Sequence, residues 1–128
     1  GNGQLLTNNI DFTATTSGAG HQITLNNGTL QVSGNITGIG SPSTIQTTGT
    51  GQIQISGALF SSSEGTLILS SGSTFNYAGN VAQTIQNFNY QNLTISGSGT
   101  KTSSATGSVT VNGNLSVNNG STLTVSGL

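Results

Sequence analysis

This chain of 128 residues has no cysteine and almost no charge. Asp11 and Glu64 are its only acidic residues, Lys101 is its only basic residue, and His21 is its only histidine. Without cysteine, neither disulfide nor thiol chemistry is possible. A single lysine provides no basic surface that could release counterions from nucleic acid or attract anionic lipid. We therefore expect no nucleic-acid partner.

Long hydrophobic runs are also missing. The longest are segments such as Ala58–Phe60 and Leu67–Leu69, whereas a membrane-spanning helix needs about 20 apolar residues. The sequence therefore predicts no membrane insertion. Twenty glycines are spread along the chain, and they would interrupt any helix of useful length.

What the chain does contain is short alternation of apolar and polar residues, seen most clearly from 109 to 127. Apolar residues recur there at every second position, and Asn-Gly or Ser-Gly pairs separate the runs. A period of two is typical of strands with one buried face. Asn and Gly favour the tight corners between such strands.

Internal repeats make the prediction more specific. Residues 23–34 resemble residues 115–127, and an apolar-x-Gly-x-apolar motif recurs about every twenty residues. We predict an all-β, single-domain parallel β-helix, right-handed like other parallel crossovers, with about six coils. An antiparallel β-sandwich is the alternative fold. The predicted core positions, which should project inward from neighbouring coils, are Val32, Ile55, Tyr77, Ile95, Val111 and Leu115.

The two ends of the predicted domain differ from its middle. Residues 1–21 are the least repetitive and predict an irregular strand pair or a cap, whereas residues 22–128 form the coils. Polar residues 98–108 predict a corner or lateral loop. Neither end carries a charged or amphipathic cap that would cover a free strand edge. We therefore expect end-to-end contact with other copies of the chain, or with adjacent repeats of a longer chain, through Leu5, Leu6, Ile10, Phe12, Leu123, Val125 and Leu128.

Residues 77–117 resemble a known repeat. The segment from 82 to 102 reads AQTIQNFNYQNLTISGSGTKT, and residues 107–117 read GSVTVNGNLSV. These are similar to the β-solenoid repeats of large exported bacterial surface proteins of the adhesin-like or filamentous type. The resemblance implies an extracellular or cell-surface location and a structural or adhesive role. It supplies no catalytic residues.

Catalysis has little support in the sequence. His21, Asp11 and a serine could nominally form a hydrolase triad, but no nucleophile motif surrounds any serine. Two carboxylates and one lysine are too few for the sugar-cleaving chemistry of other β-helices. We predict a non-catalytic protein without a metal or cofactor. An intramolecular isopeptide of Lys101 and Glu64 with an Asn is not expected either, because it needs all three buried together and the polar segment around Lys101 suggests an exposed side chain.

A binding module for glycans or for ice is the alternative function. Two aromatic pairs, Phe75 with Tyr77 and Phe88 with Tyr90, could stack on sugar rings, although such residues more often fill a core. Thr-x-Thr pairs could form a flat ice-binding face. Their spacing is not one pair per coil, which disfavours that function, and the pairs are Thr13/Thr15, Thr48/Thr50, Thr100/Thr102 and Thr122/Thr124.

The chain also contains Asn-x-Ser/Thr glycosylation sequons. They are expected by composition alone in a chain so rich in these residues. We predict that their asparagines occupy corners or ladders of the fold, and they are Asn27, Asn35, Asn92, Asn114 and Asn119.

Overall fold

The computed structural model of the chain describes residues 3–13, 20–39 and 43–126, and these form short strands without any helix. In chain order the strands are β1 (Gln4–Thr7), β2 (Ile10–Thr13), β3 (His21–Leu25), β4 (Thr29–Val32), β5 (Ile36–Ile39), β6 (Ser43–Thr47), β7 (Gln52–Ile55), β8 (Gly65–Ile68), β9 (Thr74–Tyr77), β10 (Gln83–Ile85), β11 (Asn89–Tyr90), β12 (Asn92–Ile95), β13 (Thr100–Ser103), β14 (Thr110–Val111), β15 (Leu115–Val117) and β16 (Thr122–Thr124).

All strand pairs are parallel, and they join equivalent strands of successive coils. One sheet, which we call the first face, runs through six strands in the order β1-β4-β7-β9-β12-β15. The fold is therefore a β-solenoid of about five turns. The predicted parallel β-helix is confirmed and the antiparallel sandwich is excluded, whereas the right hand of the crossovers stays a prediction.

Two further faces complete each coil. The second face contains the strands that follow the first face, namely β2, β5, β10, β13 and β16, and the third face contains β3, β6, β8, β11 and β14. Both faces are interrupted between the third and fourth coils, because no strand pairing joins them there in the described ranges. The side chain of Gln83 helps to connect the two halves, since its Nε2 donates to the carbonyl oxygens of Ile55 (3.2 Å) and Gly57 (2.7 Å).

Inward-pointing residues of the first face form two columns along the solenoid axis. The strand register produces the columns Leu5-Leu30-Ile53-Phe75-Leu93-Leu115 and Thr7-Val32-Ile55-Tyr77-Ile95-Val117. The four middle members of each column are buried, whereas Leu115 and Val117 at the last described coil are about half exposed. The core is thus a set of stacked apolar columns that reaches the end of the described chain.

Asparagines at the corners bond successive coils to one another. Asn9 Oδ1 accepts a hydrogen bond from the Asn35 N–H (2.8 Å), and Asn35 Oδ1 in turn accepts one from the Ala58 N–H (2.8 Å). Asn92 Oδ1 accepts from the Asn114 N–H (3.0 Å), and Asn27 Oδ1 accepts from the Thr50 N–H (3.1 Å). These asparagines satisfy backbone donors that the turn leaves without a strand partner.

Glycines of the repeated motif lie where the coils approach closely. Gly97 has a φ of +74°, and a Cβ on it would lie 2.4 Å from the Gly79 carbonyl oxygen. The motif indicates a corner of the coil, but different copies lie at different corners. In the copy at Val111 it follows the third face, so Val111 pairs with Tyr90. Val111 therefore packs against the core, but from the third face and outside the column of Val32, Ile55 and Tyr77.

Two segments that were predicted to be irregular contain regular strands. The N-terminal segment is more regular than expected, because β1 pairs with β4 and β2 pairs with β5 in the same register as later coils. The predicted polar corner at 98–108 contains β13, which pairs with both β10 and β16. The segment was predicted to be a loop because it is polar, but its threonines are both polar and common in strands.

The stacked columns predict a large difference between neighbouring positions of β7. Ile55 is fully buried, whereas Gln54 on the same strand points outward. Ile55→Ala should lower the free energy of unfolding by 2–5 kcal/mol, roughly the range for a large-to-small core change. Gln54→Ala should change it by less than about 0.5 kcal/mol, as is usual on a surface. Urea unfolding followed by circular dichroism measures both, and equal effects would contradict the register.

Candidate functional site

The residues that could nominally form a catalytic triad are not arranged as one. Asp11 lies on β2, where its Oδ1 accepts a hydrogen bond from the Thr37 hydroxyl (3.0 Å). His21 is exposed at the start of β3, and its ring lies 6.4 Å from that of Phe12. Within the described ranges, no group of three or more His, Cys, Asp or Glu side chains could hold a metal ion.

The aromatic residues that could have formed a sugar platform are buried. Phe75, Tyr77 and Tyr90 are fully enclosed and pack against one another with ring centroids 4.9–6.2 Å apart. Phe88 is also buried and makes an edge-on contact with Phe60 at 5.9 Å. The prediction that these aromatics belong to the core is confirmed.

The two tyrosine hydroxyls form a closed network with one backbone unit. Tyr77 Oη accepts from the Gln86 N–H (3.1 Å) and lies 2.8 Å from Tyr90 Oη, which donates to the Gln86 carbonyl oxygen (2.9 Å). Every hydroxyl therefore has partners despite its burial. Burial raises the pKa of Tyr77 to about 12, although the hydrogen bond that the Gln86 N–H donates opposes part of that shift.

Lys101 is the feature that the sequence analysis placed wrongly. Its side chain is fully buried, and its Nζ donates to the carbonyl oxygens of Gly79 (2.5 Å) and Gly99 (2.9 Å). Burial lowers the pKa of the Lys101 ammonium below its usual value. The alternation Thr100-Lys101-Thr102 was the signal that could have revealed this, because outward threonines on a strand place the lysine inward.

Glu64 is in a different environment from Lys101. Its Oε2 accepts hydrogen bonds from the Ser61 N–H and hydroxyl, both at 2.9 Å, in the corner between the second and third faces. Both hydrogen bonds lower the pKa of the Glu64 carboxyl, and the one from the Ser61 backbone has the larger effect. No salt bridge or hydrogen bond joins it to Lys101 in the part of the chain described here.

The surface with the clearest potential to bind something is the last described coil. No described residue covers the inward columns beyond this coil, and Leu115 (51%), Val117 (47%) and Val125 (53%) are strongly exposed. An apolar cavity of about 140 Å³ opens there and is lined by Ile85, Leu93, Ser103, Val109, Val111, Leu115, Leu123 and Val125. We call these lining residues, together with Val117, the terminal surface. Leu128 lies outside the described residues.

The opposite end exposes apolar surface in a less uniform way. Leu5 is 54% exposed at the start of an inward column. Leu6 is exposed as well, but it stands in register with Gln31 on the outer side of the first face. Ile10 is half-buried, and Phe12 is buried in an edge-on contact with Phe60, with ring centroids 6.3 Å apart. Leu5 and Ile10 are therefore the two residues at this end that head core columns, since Ile10 stands in register with the buried Ile36.

Comparisons with known proteins give no further identification. No protein-family model matches the chain, and neither the curated proteins nor the solved structures contain a significant match. Among the described residues, no helix is long and apolar enough to cross a membrane.

The burial of Lys101 predicts an unusual pH dependence. The pKa of its amine is 10.5 when unfolded and lower in the fold, so between these values the unfolded chain binds more protons. The Lys101 contribution to the free energy of unfolding should therefore rise with pH up to about 10.5, by at most about 1.4 kcal/mol per pH unit.

Lys101→Met isolates this effect, since the buried tyrosines remain in both proteins. The tyrosines act in the opposite direction, because Tyr77 ionises near pH 10 when unfolded but near 12 in the fold, so their contribution is lost as the pH rises above 10. Unfolding in urea at several pH values from 7 to about 10.5 measures the difference between wild type and variant. Two parallel curves would show that Lys101 is solvated in the folded protein.

Proposed function

We propose that this chain is a structural, non-catalytic module of an extracellular bacterial filament or adhesin stalk, and that its coils associate end to end with further β-solenoid coils. The observation that carries the proposal is the terminal surface, where two core columns end at half-exposed Leu115 and Val117. Covering a large aliphatic side chain completely is worth roughly 1.5–3 kcal/mol. The end of the solenoid therefore favours a covering partner.

Strand direction determines which partner fits. In a stack of parallel strands, the edge that β15 presents beyond Leu115 has the same hydrogen-bonding groups that β12 presents to β15. The strand that pairs best with it is the free edge of a first coil, such as β1. Head-to-tail stacking would continue the columns, with Leu5 beyond Leu115 and Thr7 beyond Val117. A contact of this kind does not close on itself and produces a fibre.

The near-absence of charge supports the same proposal. Head-to-tail stacking brings a first coil within ~4.8 Å of a last coil, and unpaired charged side chains in that contact would lose their hydration at a cost. Only Asp11, Glu64 and Lys101 carry formal charge at neutral pH. The partner is either a second copy of the chain or further repeats of a longer chain. The resemblance of residues 77–117 to surface-protein repeats supports the cell-surface context.

A glycan-binding role has less support. Sugar sites commonly use exposed aromatic faces, and the four aromatic residues considered for that role are buried here. Surface glycans remain possible partners of a stalk, but no described residue singles out a site for them.

The terminal surface can be tested with charge substitutions. Analytical ultracentrifugation of residues 1–128 should show oligomers that grow with concentration. Val117→Lys should weaken this association by about 100-fold or more, because burying an unpaired charge costs several kcal/mol. Gln52→Lys is the matched control, since Gln52 is exposed on the first face in the middle of the solenoid, and it should assemble like wild type.

Two results would contradict the proposal. One is a folded wild-type chain that stays monomeric at every concentration. The other is an assembly that Val117→Lys leaves intact but Gln52→Lys disrupts, which would place the contact on the side of the solenoid. Electron microscopy of the wild-type assembly distinguishes unbranched fibres from irregular aggregates.

A further inference from the structure

The second face of the last three coils carries a regular group of threonines. Strand pairing aligns Thr84 with Thr102 and Thr124 in one column, and Thr100 with Thr122 in a second column. Two of the Thr-x-Thr pairs noted in the sequence are therefore in register on adjacent coils. We call these five residues the threonine grid. Because the strands are parallel and unbroken here, the grid spacing is ~4.8 Å between coils and ~6.6 Å along a strand.

The hydroxyls of the grid have no partner among the described residues, whereas those of Thr24 and Thr37 do. Thr24 accepts hydrogen bonds from Gln22 and Gln46, and Thr37 donates to Asp11. All grid residues except Thr102 are exposed, and Thr102 is partly so. Each grid position thus presents one methyl group and one hydroxyl whose hydrogen-bonding capacity is available to an external ligand.

Inward-pointing polar residues stabilise the strands that carry the grid. Gln83, Lys101 and Leu123 form the inward column between the two threonine columns. Gln83 Oε1 accepts from the Gly79 N–H (2.7 Å), and Lys101 Nζ donates to the carbonyl oxygens of Gly79 and Gly99. These bonds connect the backbone of β10 and β13 to the adjoining corner. A preorganised surface of this kind binds with less loss of conformational freedom.

We infer that the threonine grid is a binding site for ordered water, that is, for the surface of ice. An ice surface is electrically neutral and repeats in two dimensions at spacings similar to those of the grid. The hydroxyls can join its hydrogen-bond lattice, while the methyl groups order the water between them. The only charged side chain on β10, β13 and β16, Lys101, points inward and is buried, so no fixed charge disturbs that lattice.

Other ligands fit the grid less well. A small molecule would need a concave site, and the grid is one side of a sheet. Sugar rings would favour aromatic faces, and none of the five positions is aromatic. Anions and nucleic acid would need positive charge at the surface. A second copy that zips its own grid against this one is a separate possibility that the experiment distinguishes.

The test measures how much of the folded protein enters slowly growing ice, together with inhibition of ice recrystallisation. Wild-type residues 1–128 should be enriched in the ice fraction over a protein that does not bind ice. Thr102→Lys, at the centre of the three-residue column, should lower that enrichment by about tenfold. Thr24→Lys is the matched control, because Thr24 is an exposed strand threonine outside the grid, and it should match wild type.

Circular dichroism must show the same fold in all three proteins, and Thr102→Ser serves as a second variant if the lysine disturbs folding. The serine variant keeps the hydroxyl but loses the methyl group, and it should show partial loss. Wild-type exclusion from ice would overturn the inference, as would equal enrichment of Thr102→Lys and wild type. A dimer in solution that Thr102→Lys abolishes, without any ice enrichment, would assign the grid to self-association instead. End-to-end assembly is tested separately by analytical ultracentrifugation of Val117→Lys.

Discussion

The structure depends on the parallel backbone ladder that joins each coil to the next. Because each strand of the first face pairs with its equivalent one coil away, each of its positions becomes a column along the axis. Apolar positions form the columns from Leu30 to Leu93 and from Val32 to Ile95. Corner asparagines serve the same ladder where the strands stop, since each satisfies a backbone N–H of the following coil. The ladder is continuous only on the first face, and side chains such as Gln83 connect the coils where it is interrupted.

A ladder of this kind restricts which polar residues the chain can use. A column of lysines or glutamates would place like charges ~4.8 Å apart, so uncharged amides and hydroxyls form the columns instead. The outer column Gln31-Gln54-Asn76-Thr94 is one example. Lys101 is the exception, and it stands alone between Gln83 and Leu123. Its burial is tolerated because two backbone carbonyls accept from its amine and burial favours the uncharged form.

Much of the fold could be predicted from the sequence because strand periodicity and glycine corners are local signals. Val32, Ile55, Tyr77 and Ile95 stand in one buried column, as their repeated motif indicated. The same motif did not reveal that Val111 lies on the third face, because the glycine corner has the same sequence pattern on every face of the solenoid. The exposure of Lys101 was predicted wrongly for a different reason. The polar composition of its segment suggested a solvated loop, and only the alternation of Thr100 and Thr102 around it indicated a strand. The alignment of the threonines could not be predicted, because it depends on coil lengths that vary along the chain.

The two proposed surfaces are compatible because they point in different directions. The terminal surface faces along the solenoid axis, whereas the threonine grid lies on a lateral face of the last three coils. Stacking modules end to end would leave each grid uncovered and would repeat it once per module. The grids would not merge into one continuous face, because the second face of the first coils carries Asp11 and Thr37 bonded to each other. A fibre of such modules would present several separate grids, so its total affinity for a repetitive surface could exceed that of one module through multivalency.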